Sequence, residues 1–290
     1  MLKKTLLCTC LSAASLFMSY ASPYFFEDSF VAPDNKENCW YPEGLSSSSR
    51  KKTSVYFWEE TEDNKIYLSF KNSDDGIIWN TTSRFAGPFE YSGDIPQIYS
   101  TATNGSTDIL VLLNDREEIV SYTSKDGFKN FTKSTLSQNE GFIGPRIFKN
   151  YAGGFTLFVS KPQDDSYTLF YSVTKDGETW NPFVEFTVPA QIKNTYNPIA
   201  PFLLPVKGGD LVVYQAQYTQ SNLISVQLYS SFSKDGGKSW TKPILFSGKE
   251  TAEGENFYNY TNQNPYILSA KGDEVYIAWE RSPFYSTNSD

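Results

Sequence analysis

Ser233-Lys234-Asp235-Gly236-Gly237-Lys238-Ser239-Trp240 is the stretch on which the fold turns. A Ser or Thr hydroxyl and a carboxylate two residues on can hold the backbone N–H groups of a tight turn. Glycine supplies the positive φ that such a turn needs. The form occurs three more times: Ser73-Asp74-Asp75-Gly76 ending in Trp79, Ser124-Lys125-Asp126-Gly127 ending in Phe131, and Thr174-Lys175-Asp176-Gly177 ending in Trp180. At ordinary residue usage a Ser/Thr-x-Asp-Gly tetrad arises by chance at roughly one in a few thousand positions. Four in one chain, at intervals of about 50 to 60 residues, constitute an internal repeat.

The surroundings repeat as well. An aromatic-rich segment precedes each tetrad: Tyr67 to Phe70, Ile119 to Tyr122, Leu169 to Tyr171 and Leu228 to Phe232. About 30 residues upstream stands a proline beside apolar residues: Pro96, Pro145 and Pro201, with Pro265 opening a fifth unit that runs through Val275 to Trp279. Short apolar runs such as Val55 to Trp58, Ile109 to Leu113, Phe155 to Val159 and Leu211 to Tyr214 are broken by Gly, Asn, Asp and Pro, and no sustained helical period interrupts them. Strands at this spacing, in units of this length, predict an all-β propeller of four-stranded antiparallel blades. The fifth tetrad projects beyond Asp290. The expectation is therefore about 4.5 blades of a ring of six, completed by further blades of the same gene product or by a partner chain.

Composition bounds the chemistry. Forty-eight aromatic rings (Trp 6, Tyr 20, Phe 22) in 290 residues can fill a large core. A net charge of −8 argues against nucleic acid as a partner. The chain has no histidine, which excludes His-based triads, His-ligated zinc and histidine pH switches. No cofactor or metal is expected. Lys3 and Lys4, the apolar run Thr5 to Met18 and Ser19-Tyr20-Ala21 have the layout of a secretory signal peptide over residues 1–21. Its removal takes Cys8 and Cys10 away and leaves Cys39 without an intrachain partner. No other run is long and apolar enough to span a bilayer. The expected organisation is signal peptide 1–21, an N-terminal segment 22–44 and the propeller 45–290, in a product that is secreted, periplasmic or at the cell surface.

The repeats resemble Asp-boxes, also called bacterial neuraminidase repeats, of sialidase-like propellers. Ser233 to Trp240 matches the eight-residue form Ser-x-Asp-x-Gly-x-Ser/Thr-Trp; the segments at Ser73 and Thr174 are one residue shorter, and Ser124 to Phe131 is degenerate. The resemblance covers about residues 45 to 290. It implies that Ser73, Asp75, Gly76, Trp79, Ser124, Asp126, Gly127, Phe131, Thr174, Asp176, Gly177, Trp180, Ser233, Asp235, Gly237 and Trp240 are structural. The Trp79, Trp180 and Trp240 rings should be buried, and the four Asp residues should lie far apart on separate blades. Sialidases further have an aromatic-Arg-Ile-Pro motif, an arginine triad and an assisted Tyr nucleophile. Upstream of Ser73 the one arginine is Arg50, in a polar Ser/Lys stretch without that motif. No catalytic residue carries over.

Candidate ligand residues come from strands expected to line the central channel. The position after the repeat's proline gives Gln97 and Arg146; the ends of second strands give Trp58, Glu59, Trp279, Glu280 and Arg281. A Trp can stack on a sugar ring while neighbouring charges bond its hydroxyls or a carboxylate; equally, Trp58 and Trp279 could be core rings with solvated charges beside them. The function expected first is carbohydrate binding without catalysis. The alternatives are the N-terminal part of an exo-sialidase and an extracellular protein-binding scaffold.

Overall fold

The computed structural model describes residues 38–47, 52–61, 63, 65–75, 78–90, 99–163, 166–186, 201–220, 223–247, 260–271 and 274–283. Every regular element among them is a strand. The chain divides into two compact units, residues 1–90 and 91–290.

The first unit is one antiparallel meander: β1 (Asn38–Ser47), β2 (Lys52–Glu60), β3 (Ile66–Ser73) and β4 (Ser83–Phe89), in that order across the sheet. β1 therefore starts inside the segment assigned from sequence to residues 22–44. Tyr56, Phe57, Trp58 and Glu59 of β2 are all buried, so this strand is covered on both faces. Tyr56 stacks on Phe70 at 5.6 Å, and Trp58 stands edge-on to Phe89 at 5.7 Å.

The second unit repeats the meander. Its sheets are β5 (Tyr99–Thr103), β6 (Asp108–Leu113), β7 (Ile119–Ser124) and β8 (Thr132–Ser137); β9 (Ile143–Lys149), β10 (Phe155–Gln163), β11 (Ser166–Thr174) and β12 (Val184–Glu185); and β13 (Phe202–Val206), β14 (Gly209–Gln220), β15 (Leu223–Ser233) and β16 (Ile244–Leu245). β17 (Tyr260–Lys271) pairs with β18 (Glu274–Pro283) as a two-stranded ribbon. The first strands touch in succession, β5 to β9, β9 to β13 and β13 to β17, so they form the inner edge of this unit. Second strands lie inside their sheets and carry near-continuous apolar runs, buried from Ile109 to Leu112 and from Phe155 to Val159. Between sheets, Ile109, Val111 and Ile119 meet Phe142, Ile147 and Phe155. One sheet on, Phe158, Tyr171 and Phe186 meet Leu203, Val212 and Tyr214. Each fully buried ring or branched chain contributes about 1.5–3 kcal/mol.

The repeated tetrads join third strands to fourth strands. Ser73, Ser124, Thr174 and Ser233 end β3, β7, β11 and β15. Their hydroxyls donate to Oδ1 of Asp75, Asp126, Asp176 and Asp235 at 3.0, 2.9, 3.1 and 2.8 Å. Those oxygens accept turn N–H groups: Ile78 on Asp75, Asn130 on Asp126, Glu178 and Thr179 on Asp176, Lys238 and Ser239 on Asp235. Gly127, Gly177 and Gly237 have φ of 76°, 83° and 86°; Gly76 falls outside the described residues. At Gly177 a Cβ would come within 2.6 Å of Ile109 and 2.9 Å of Thr123, and at Gly237 within 2.7 Å of Thr156. Each of these turns thus presses on the preceding sheet, and Thr123 Oγ1 donates to the Gly177 carbonyl at 2.7 Å.

The rings after the turns need correction. Trp79, Trp180 and Trp240 are half-buried, and Phe131 is 46% exposed. Each follows its turn directly and keeps part of its surface in solvent. Trp240 lies against Phe158, Tyr171 and Phe186 at 5.5–6.2 Å. Trp180 packs on the Phe142–Ile147 cluster while its Nε1 donates to the Gly177 carbonyl at 3.0 Å.

Candidate functional site

Antiparallel order gives each sheet of the second unit two chemically distinct ends. First strands begin where second strands finish; at the other end the first hairpin lies beside the repeat turn. Asn262, Asn264, Trp279, Glu280 and Arg281 lie toward the first of these, and Arg146 stands midway along β9.

Arg146 is on β9, opposite Phe158 in register, and half-buried. Among the described residues nothing forms a hydrogen bond or ion pair with it. By strand alternation it shares a face with Phe148. The Phe148 ring is 5.3 Å from Phe202, and Phe202 is 5.1 Å from Tyr266, which is 57% exposed. The inner strands thus run from a guanidinium along a row of aromatic rings. On β17, Asn264 has φ of 52°; its N–H donates to Gln215 Oε1 at 2.7 Å and its Nδ2 to Glu280 Oε2 at 3.0 Å. Trp279 Nε1 donates to Asn262 Oδ1 at 3.0 Å. Arg281 is exposed and opposite Asn262 in register.

Of the sequence-derived candidates, Arg146, Trp279, Glu280 and Arg281 are in this unit. Gln97 lies outside the described residues. Trp58 and Glu59 belong to the first unit, where both are enclosed. Trp58 offers no face for stacking, because β1 and β3 flank its strand and Phe89 covers the ring. Glu59 accepts hydrogen bonds from Ser69 Oγ and, at 3.0 Å, from Arg84 Nη2; the guanidinium lies 4.3 Å over the Tyr67 ring. That carboxylate is committed to its own sheet. Sequence reasoning passed over Asn262, Asn264 and Gln227, although Asn262-Gln263-Asn264 is an unbroken amide run directly before the repeat's proline.

At the opposite end the expectation of well-separated carboxylates fails. Asp176 and Asp235, from successive repeat turns, line one cavity of about 440 Å³ together with Asn150, Asn181, Lys175 and Lys238. The Gly177 and Gly237 turns lean on the sheets before them, which brings these two turns to one cavity. They are not an acid–base pair, because catalysis would need their proton affinities pushed apart. The Thr179 N–H holds Asp176 below the usual carboxylate range against the effect of burial, with the Glu178 N–H helping. Burial raises Asp235, but the Ser239 hydroxyl and N–H, with Ser233 and Lys238, outweigh it and leave the carboxyl low. Asp210 behaves differently. It is fully buried, its Oδ1 accepts the Tyr151 N–H at 2.6 Å, and its Oδ2 has no partner among the described residues. Burial, with the Asp235 charge adding to it, raises its pKa to about 6. A raised carboxyl suits a general acid, but this one has no surface through which to meet a substrate. Among the described residues no cluster of three or more Cys, Asp or Glu could hold a metal ion, and no helix is long and apolar enough to cross a membrane.

No protein-family model and no curated protein matches the chain. Solved structures do. The alpha-L-arabinanase of Penicillium chrysogenum complexed with arabinobiose is 16% identical over 87% of this chain and 84% of its own, with a TM-score of 0.52. The alpha-L-arabinofuranosidase of Fusarium graminearum with arabinobiose is 15% identical over 86% and 77%, with a TM-score of 0.50. A Hadza microbial sialidase is 14% identical over 76% of this chain and has a TM-score of 0.48; the chain spans about half of its length. At these identities the likeness is one of fold, and it agrees with the antiparallel four-stranded sheets: the protein is all-β, of the β-propeller class.

Proposed function

We propose that this protein is an exported propeller that binds glycans, without hydrolysing them, along the inner strands of the second unit. The carrying observation is Arg146: a half-buried arginine with no anionic partner among the described residues, on the same strand face as Phe148, whose ring leads on to Phe202 and Tyr266. Leaving a charge partly buried is unfavourable unless something pairs with it, and an acidic sugar brings both a carboxylate for the arginine and C–H faces for the rings. The fold neighbours named as an arabinanase and an arabinofuranosidase add support for a carbohydrate. The Ser/Thr-x-Asp-Gly turns, read as Asp-boxes, and the signal-peptide layout of residues 1–21 fit an exported propeller.

Those same neighbours favour a second reading, glycoside hydrolysis. Against it, β5, β9, β13 and β17 contain no Asp or Glu, so these inner strands supply no carboxylate pair of the usual glycosidase kind. The test is a glycan array with the purified protein, followed by titration of the best binder. Arg146→Ala should weaken an acidic glycan at least tenfold and leave the melting temperature within about 2 °C. An array without signal above background removes the carbohydrate reading; release of sugar from arabinan or a fluorogenic sialoside removes the non-catalytic one.

A further inference from the structure

We infer that Trp279 is a platform on which a sugar ring stacks, and that Asn262, Gln227 and Ser247 are positioning residues that set the angle of its indole; this rests on the carbohydrate reading above. Three buried polar side chains are spent on one N–H group. Trp279 Nε1 donates to Asn262 Oδ1 at 3.0 Å, and Asn262 Nδ2 donates to Gln227 Oε1 at 2.9 Å. Ser247 Oγ donates to the same Gln227 oxygen at 2.8 Å and accepts the Leu228 N–H at 2.8 Å. Gln227, Ser247 and Asn262 are all buried. Burying such groups is unfavourable unless each satisfies another, and a satisfied buried network fixes one geometry.

The ring at the end of this relay is not itself buried. Trp279 is 36% exposed, with Phe246 edge-on to it at 6.2 Å and 88°. Its nitrogen edge is tied inward and one side is braced, while part of its surface is open to solvent. The repeat-turn tryptophans differ. Trp180 spends its N–H on the carbonyl of its own turn, and Trp240 packs into a core cluster. Neither has a relay running from a neighbouring sheet. A ring held at a set angle with an open face suits the C–H face of a pyranose or furanose, because a preset platform loses little conformational entropy on binding. Arg281, two residues along the strand, lies on the same strand face.

The test uses the full protein with the Trp indole signals resolved in a ¹H–¹⁵N spectrum, the Trp279 signal being assigned by its loss in Trp279→Phe. The probes are arabinobiose, sialyllactose and the best array binder. Without sugar, Asn262→Ala and Gln227→Ala should shift the Trp279 indole signal and speed its exchange with water. With sugar they should raise Kd about five- to tenfold. Ser247→Ala should act in the same direction and Ser247→Thr should restore wild-type behaviour. Trp279→Ala should raise Kd more than tenfold, and Trp279→Phe, which keeps the packing on Phe246, less. If Trp279→Phe and Trp279→Ala bind like wild type while Arg146→Ala does not, the platform is wrong and the carbohydrate reading stands. If the wild type binds none of the probes, both are wrong. An indole signal indifferent to Asn262→Ala and Gln227→Ala overturns the positioning role.

Discussion

Replacing Asp210 with Asn should stabilise the protein at neutral and alkaline pH and lose that advantage in acid. The carboxyl sits at the start of β14 with no exposed surface and one hydrogen bond, from the Tyr151 N–H, while the Asp235 carboxylate adds repulsion. Its pKa rises from the ordinary 3.8 to about 6. At 1.36 kcal/mol per tenfold change in proton affinity, that gap is about 3 kcal/mol of charge penalty in the folded state. Because the folded pKa lies above the unfolded one, the residue is best tolerated below about pH 4, where both states are protonated. Stability then falls as pH rises from about 4 to about 6, and stays reduced above that. The bond from the Tyr151 N–H is already part of that net figure, because it lowers the pKa against burial, and the amide introduced by Asp210→Asn keeps an acceptor for it. The net expectation is a gain of about 2–3 kcal/mol at pH 8 and little change near pH 4. Urea unfolding of wild type and Asp210→Asn at the two pH values measures it. A difference between the two proteins that is the same at both pH values, or a loss above about 2 kcal/mol at pH 8, would show that the buried charge is compensated and refute the reasoning.

Three further outcomes follow from the turns. Gly177→Ala forces a Cβ to within 2.6 Å of Ile109 at a φ of 83°, and should cost about 2–4 kcal/mol in urea unfolding from strain and overpacking together. Asp235→Asn weakens the acceptor for Lys238, Ser239 and Ser233 and should cost about 1–3 kcal/mol; it should also lower the Asp210 pKa, seen as a shift in the pH dependence of stability. Trp240→Ala should cost about 3 kcal/mol, at the low end for an aromatic truncation because the ring is half-buried.

The repeated tetrads made the sheet order legible. Each marks the passage from a third to a fourth strand, and Pro145 and Pro265 fall inside the inner strands β9 and β17. The length of the outer strands was not legible: β12 and β16 pair over two residues each, too few for any pattern. The site was partly legible. Trp58-Glu59 and Trp279-Glu280 look alike because both close a second strand, and local sequence cannot say what lies on either side. β2 is flanked by β1 and β3 and loses its Trp to the core, whereas β18 pairs with β17 alone among the described strands and keeps its Trp partly exposed. The amides of Asn262 and Gln227 are 35 residues apart in sequence and meet only because neighbouring sheets stack. The meeting of Asp176 and Asp235 at one cavity has the same origin.

The arrangement separates stability from recognition along the strands of the second unit. The repeat turns close one end, the Trp279 relay lies toward the other, and Arg146 stands between them, opposite Phe158. Phe158 is the fourth residue of β10, so Arg146 lies about 10 Å along the strand from the end that meets the turns, at roughly 3.3 Å per residue. The strands between are buried on both sides, where a register shift would turn every side chain to the wrong face, so a loosened turn should leave them in place. Loosening a turn should therefore lower the melting temperature without grading the affinity. Kd for the best array binder should stay within about twofold in Asp235→Asn while the fold holds, and rise about tenfold in Arg146→Ala with melting unchanged. A turn variant that stays folded yet loses affinity in proportion to its lost stability would mean that the two ends are energetically one.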